Sequence, residues 1–378
     1  MDIAPFKVEE WMNEYEDGAK YNIAETCVDS VSIDQLFELT GGDKAAFMDR
    51  LCACRLTYGD ILGAPAFKEG IRGLFKTIKP ENIVTTHGAA GANHHVYYSL
   101  VSPGDRVISV APTYQQLYSI PASMGAKIDI LHLEKKDGFL PDLDKLEKMA
   151  EGGVKIIAIN NPNNPSGALM DEKMLRDIAA IAGKHGAYLF CDEVYRGLNQ
   201  DDEYTPSIAD IYEKGISTGS MSKVFSMAGL RLGWIVSRDK DFIASCLSHR
   251  DYNHISCGML DEALAAEALG NAGKLLERSR GIVRNNLAIL DGWVGSHEGV
   301  SYVKPKAGTT ALIYYGVDMD SYEFSKRLYH DTGALVTPGD CFEEPGCVRV
   351  GYACKESELR EGLAVMGDFI EKLKKAGN

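Results

Sequence analysis

The chain has 378 residues, 45% of them hydrophobic and 25% charged, and its 54 acidic against 40 basic side chains give a net charge of −14. That length supports about two domains, or one large domain with a smaller one. The acidic balance argues against a nucleic-acid surface, and no apolar run approaches the roughly 20 residues that cross a bilayer.

The first residues, Met1-Asp-Ile-Ala-Pro5, hold neither a basic stretch nor an apolar core, so no secretory leader is expected. The segment Tyr21 to Ser30 carries two acids, Glu25 and Asp29. Asp29, with Ser30 and Ser32, can cap a helix predicted near Ile33. Short apolar runs then predict strands over 82–86, 106–111, 127–131, 155–160, 188–192, 215–219 and 232–237. Amphipathic segments such as 171–185 separate them. Strands buried on both faces between helices imply an α/β fold with a mostly parallel, doubly wound sheet. Ligands bind such sheets at the carboxyl ends of the strands. After about residue 285 the pattern becomes a smaller α+β unit. Strands are predicted at 300–303, 310–315 and 348–352, and helices at 321–332 and 356–375. The expected division is a large domain over 45–285 and a small one built from 1–44 and 286–378.

Chemistry-bearing residues fall at the ends of these strands. His87-Gly-Ala-Ala-Gly-Ala-Asn93 is a Gly/Ala-rich turn opening a helix, where backbone N–H groups can approach an anion. Ala111-Pro-Thr-Tyr114 can project a ring into the crevice. Asn160-Asn-Pro-Asn-Asn-Pro-Ser-Gly167 builds a rigid polar turn. The strand ending in Asp192 buries a carboxylate, which should have a cationic partner. Ser220-Met-Ser-Lys223 follows another buried strand. Burial is expected to lower the lysine's pKa and make it a nucleophile toward a carbonyl. Arg231 brings a fixed fork of donors to a nearby anion. A lysine for an aldehyde beside an arginine for a phosphate suggests pyridoxal 5'-phosphate (PLP). Each signal taken singly also fits a core tyrosine, a plain helix start or a surface ion pair.

The pattern Ser-x-Ser-Lys, then Arg231-x-Gly233, resembles the lysine signature of the class I/II aminotransferases, PLP enzymes of fold type I and aspartate aminotransferase-like. Asn160 to Gly167 is similar to that family's Asn-Pro-x-Asn-Pro-Thr-Gly, with Ser166 for threonine. The resemblance implies roles along residues 58 to 349. Lys223 would hold PLP as a Schiff base, flanked by Ser220 and Ser222. Ala89 and Ala90 would offer N–H groups to the phosphate, beside Arg231. Tyr114 would stack on the pyridine ring. Asn164 and Tyr195 would bond its 3'-oxygen, and Asp192 would keep its nitrogen protonated. Arg349, with Asn164, would take the substrate α-carboxylate. Tyr58 would reach the phosphate of the other subunit, which implies a homodimer. The chain departs from the family at Tyr21 to Ser30, in place of a glycine-bearing loop, and at Ala307 in Lys304-Pro-Lys-Ala-Gly308. The carboxylates of Glu25 and Asp29 could therefore favour a basic substrate side chain, or both could face solvent.

The resemblance implies an aminotransferase that moves an amino group between an L-amino acid and a 2-oxo acid. Lys223 would act as general base and then acid. Two rivals share the fold, a carbon–sulfur β-lyase and a cyclase of the capreomycidine-synthase kind. A PLP-binding sensor is a third reading, though no helix-turn-helix is seen. The nine cysteines suit reduced thiols in the cytoplasm. No metal-ligand spacing occurs among the nine histidines, and neither membrane nor nucleic acid is an expected partner.

Overall fold

The computed structural model describes residues 2–376. Helix Lys7–Tyr15 buries Val8, Trp11 and Tyr15, three and four residues apart on one face. It leads to the two-residue strand β1 (Tyr21–Asn22). Helix Ile33–Thr40 starts on a capping box. The Ser32 hydroxyl accepts from the Gln35 amide, and the Gln35 side chain accepts from the Ser32 amide. Asp29 takes no part in that cap, because it pairs with Arg278 at 3.3 Å.

Seven strands form the large sheet: β2 (Ile83–His87), β3 (Arg106–Ala111), β4 (Lys127–His132), β5 (Ile156–Asn160), β6 (Tyr188–Asp192), β7 (Gly215–Ser220) and β8 (Leu232–Ser237). Their spatial order is β2-β8-β7-β6-β5-β3-β4. Three of them have the bounds read from the sequence, and the others differ by one residue at an end or both. Side chains alternate between two apolar clusters. Ile108, Val110, Ile157, Ile159, Leu189 and Cys191 pack on one face, against Leu175 and Ile178 of helix Glu172–Lys184. Val107, Ile156, Ala158, Phe190 and Ile216 pack on the other. Both faces are therefore dry, as a parallel sheet between helices requires. Six strands run one way. Only β8 is reversed, antiparallel to both β2 and β7. Its first residues therefore lie at the edge where the other six strands end.

Helix Ala272–Ser296 runs unbroken across the boundary expected at 285. Beyond it lie β9 (Ser301–Tyr302), β10 (Thr310–Tyr314), β11 (Ala334–Leu335), β12 (Thr337–Pro338) and β13 (Cys347–Gly351). Four of these make an antiparallel sheet in the order β12-β13-β10-β9. The fifth, β11, pairs parallel with β1, which ties the N-terminal segment to the C-terminal unit. Helices Ser321–Thr332 and Glu356–Ala376 complete that unit.

Candidate active site

A cavity of about 470 Å³ opens at the carboxyl edge of the large sheet, where it meets the N-terminal segment and β13. Its walls bring together Ala89, Ala90, Tyr114, Asn164, Asp192, Tyr195, Ser220, Ser222, Lys223, Arg231, Arg349 and Glu25. Every singled-out residue except Tyr58 is there. Tyr58 is 69% exposed on the outer surface of this chain. Arg231 reaches the cavity although it precedes its strand, because β8 runs in reverse.

Asp192 ends β6 and is 3% exposed. Its Oδ2 accepts from Asn93 Nδ2 at 2.8 Å and its Oδ1 from the Val194 amide at 3.1 Å. Burial pushes its carboxyl pKa up, against the pull of those two donors and of Lys223. No ion pair neutralises it among the described residues, so the carboxylate suits a cationic ligand atom. Next to it, Asn160 Oδ1 accepts the Asn164 amide at 2.6 Å while Asn160 Nδ2 donates to the Asp192 carbonyl at 2.9 Å. The asparagine turn is thereby pinned to the end of β6.

Lys223 lies three residues beyond β7. Its Nζ donates to Thr26 Oγ1 at 2.6 Å and lies 3.4 Å from Cys27 Sγ. The simple expectation of a lowered amine pKa is corrected here. Burial does push it down, but Cys27, Tyr195 and Glu25 around the ammonium push it up further, and the net direction is up. Burial raises the Cys27 thiol to about 11. Tyr195 is likewise raised by burial, with Lys223 and Arg349 opposing.

Arg349 sits mid-strand in β13, paired in register with Leu312 and Thr337. It is 3% exposed. Its Nη1 donates to Asn164 Oδ1 at 3.3 Å, and its Nη2 to the Ala24 carbonyl and Thr337 Oγ1, each at 3.0 Å. Its Nε is buried without a partner. The Tyr114 hydroxyl donates to Glu9 Oε1 at 2.8 Å, and its ring lies 4.9 Å from that of Phe6. Helix Lys7–Tyr15 thus forms one wall of the cavity.

The family model for aminotransferases of class I and II matches residues 44–366. The chain belongs to that family. A PLP-dependent aminotransferase from Streptococcus suis superposes with a TM-score of 0.96, at 42% identity over 99% of both chains. Capreomycidine synthase of Streptomyces vinaceus is 28% identical over 96% of this chain and 93% of its own. An aspartate aminotransferase of Thermotoga maritima is 28% identical over 83% of each. This aminotransferase is therefore a PLP-dependent enzyme of fold type I.

The residues present fit PLP. At one end of the cavity, helix Gly88–Leu100 points its N-terminus at Ser220, Ser222 and Arg231, a donor set for a phosphate. Two glycines allow that approach. Gly88 has φ +66°, and a Cβ on it would lie 2.9 Å from Arg231 Nη2. A Cβ on Gly233 would lie 2.5 Å from the Gly88 carbonyl carbon. The buried Asp192 and the amine of Lys223 line the same cavity.

Sequence reasoning missed six contributors, from three segments of the chain. Asn93 was in the quoted Gly/Ala turn without a role, and an inward polar residue one turn into a helix was the available signal. Thr26 and Cys27 adjoin Glu25, but nothing in one sequence joins them to a lysine 197 residues away. Phe6, Glu9 and Met12 on the N-terminal helix gave no signal beyond amphipathicity.

Proposed function

We propose that this aminotransferase works with Lys223 as the amine that holds the cofactor aldehyde and then moves the substrate proton. The single observation that carries the reading is that Lys223, Asp192, Asn164, Tyr195 and Arg349 line one cavity. PLP, when bound, supplies an electron sink for the pair left at the substrate Cα. Asp192 is positioned to keep a ring nitrogen protonated, being buried and held only by neutral hydrogen-bond donors and no ion pair. Asn164 and Tyr195 hold the ring oxygen, and Tyr114 packs the ring. Ser220, Ser222, Arg231 and the amides of Ala89 and Ala90 take the phosphate. Arg349 forks onto the α-carboxylate of an L-amino acid. Its unpartnered Nε and its bond to Asn164 support that role. Released from the aldehyde, the Lys223 amine accepts a proton at Cα and returns it to the cofactor side. Thr26 Oγ1 keeps it aimed.

We further propose a homodimer in the cytoplasm. Exposed Leu56, Tyr58 and Leu62 give the partner an apolar face, and Tyr58 would complete its phosphate site. All nine cysteines are free thiols and seven are buried, which suits a reducing compartment. The two units are proposed as 45–285 and 1–44 with 286–378, bridged by helix Ala272–Ser296.

A cyclase reading has one observation in its favour. The capreomycidine synthase match extends over 96% of the chain, against 83% for the aspartate aminotransferase. One experiment separates these readings. The PLP-loaded protein is incubated with an amino-acid pool and 2-oxoglutarate. Transamination yields glutamate and 2-oxo acids. A lyase yields ammonia and pyruvate, a cyclase consumes its substrate with no amino transfer, and a sensor does none of these. Absence of glutamate overturns the proposal.

A further inference from the structure

The cavity holds more negative charge than the proposed chemistry uses. Resting on the reading above, Arg231 answers a phosphate, Lys223 an aldehyde, Asp192 a ring nitrogen and Arg349 an α-carboxylate. Three carboxylates in the same walls remain: Glu9, Glu16 and Glu25. They come from three successive pieces of the N-terminal segment, helix Lys7–Tyr15, the turn Glu16–Gly18 and the loop after β1.

Each is held by a neutral donor. Glu9 Oε1 accepts the Tyr114 hydroxyl at 2.8 Å, and Glu16 Oε1 accepts Asn22 Nδ2 at 3.2 Å. Glu25 Oε1 accepts the amides of Thr26 and Cys27 at 2.7 and 2.8 Å. None of the three is in an ion pair among the described residues, although, against burial, the Lys223 ammonium and the two amides draw the Glu25 carboxyl pKa down. Burial pushes the Glu16 carboxyl pKa up, and the nearby charges of Glu25 and, less strongly, Asp17 and Glu9 add to that push against the Asn22 bond.

A second feature points to a ligand in the same space. Arg349 is 3% exposed, lines the cavity, and leaves its buried Nε without a partner. The occupant must therefore bring an anion to the floor, while the N-terminal wall offers carboxylates to a cation. A small molecule with a carboxylate at one end and a positive charge at the other answers both.

We propose that Glu9, Glu16 and Glu25 bind the distal cation of the amino-acid substrate, so that the enzyme selects L-amino acids whose side chain ends in an ammonium or guanidinium. Asp29, the other acid of that stretch, is excluded by its pairing with Arg278. A side-chain carboxylate is disfavoured by the same wall, since like charges facing each other oppose binding. Aspartate, the substrate named for several relatives, is thus a poor substrate here.

The test uses the PLP-loaded enzyme and charge-paired substrates. L-Arginine is compared with L-citrulline, L-ornithine with L-norvaline, and L-aspartate serves as the anionic arm. The expected wild-type result is kcat/KM at least about tenfold higher for the cationic member of one pair, with aspartate lowest. Which pair responds tells guanidinium from ammonium. Glu9→Gln and Glu16→Gln keep a side-chain oxygen for Tyr114 and Asn22, and together they should cut the cationic-to-neutral ratio by about tenfold. Equal values within both pairs, or an unchanged ratio in the double variant, overturn the proposal. Calorimetric dissociation constants for the same pairs give a second reading. If no amino acid transfers its amino group, the transaminase reading fails, yet binding still decides this inference. Preference for the cationic member, lost in the double variant, sustains it, and equal affinity overturns it.

Discussion

Asn93 and Asp192 lie 99 residues apart in sequence, and their side chains meet at 2.8 Å in the wall of the cavity. The Thr218 hydroxyl donates to Asn93 Oδ1, also at 2.8 Å, so the amide can only turn its Nδ2 toward the carboxylate. A helix residue and a β7 residue together fix the direction in which the buried acid points.

Two substitutions separate charge from orientation. Asp192→Asn should retain PLP but lower kcat by roughly a hundredfold, about 3 kcal/mol, because a charged acceptor is lost from a dry site. Asn93→Ala leaves the charge but removes one donor to it. About tenfold in kcat is expected, with a further rise in the carboxyl pKa. Steady-state kinetics with cofactor absorbance across pH measures both. Near-normal turnover in Asp192→Asn would make the acid structural.

Borohydride reduction of the PLP-loaded enzyme should leave the cofactor mass on the peptide that carries Lys223, and Lys223→Ala should abolish both label and turnover. Label on another lysine would sink the assignment. A mixing experiment tests the partner role of Tyr58. Lys223→Ala and Tyr58→Ala should each be inactive or nearly so. Co-refolded, they should regain about a quarter of wild-type activity, because half of randomly paired dimers carry one intact site. No regain would place Tyr58 outside the partner's site.

Gly88→Ala tests the phosphate cradle. The backbone there is left-handed, at φ +66°, and a Cβ would approach Arg231 Nη2 to 2.9 Å. The variant should lose about 1–2 kcal/mol of stability and bind PLP at least tenfold more weakly. Thermal unfolding and cofactor titration report the two effects. Unchanged PLP affinity would mean that the phosphate does not sit at this helix N-terminus.

His254 predicts an acid-sensitive window. Burial lowers its pKa to about 4 from an ordinary 6.5, opposed by a bond to the Thr85 carbonyl and reinforced by His87, Arg250 and His95. Between those two values the unfolded chain binds a proton that the folded chain refuses. Stability therefore falls as pH drops from 6.5 toward 4. His254→Gln should recover on the order of 2 kcal/mol of that loss and change little above pH 7. Denaturant midpoints at pH 7.5 and 4.5, in both proteins, check it. Equal acid losses would show that other groups set the window.

Much of the fold was legible because it is written locally. Strand runs such as 106–111 and 188–192 are mostly apolar, with no polar alternation, since both faces of the sheet are covered, and polar turns punctuate them. The family signature around Lys223 was legible for a related reason. An amine, hydroxyls and an arginine at short, fixed spacing need only one strand end and one turn to meet. Glu25 lines the cavity, whereas its neighbour Asp29 pairs with Arg278, and only packing distinguishes two acids four residues apart.

The sequence by itself determined the seven strands of the large sheet in chain order, the family, and the residues at the ends of β5, β6 and β7, because those depend on periodicity and turn chemistry over a few residues. The tertiary structure alone decided the rest. The reversal of β8 carries Arg231 to the functional edge, and the pairing of β1 with β11 brings the N-terminal segment to the cavity. Thr26 thereby meets Lys223, and Glu9 and Glu16 meet the substrate space. These contacts join segments as far apart as Tyr21 and Ala334. They arise from which apolar faces can be buried against each other, a property of the whole folded chain that no local window of residues contains.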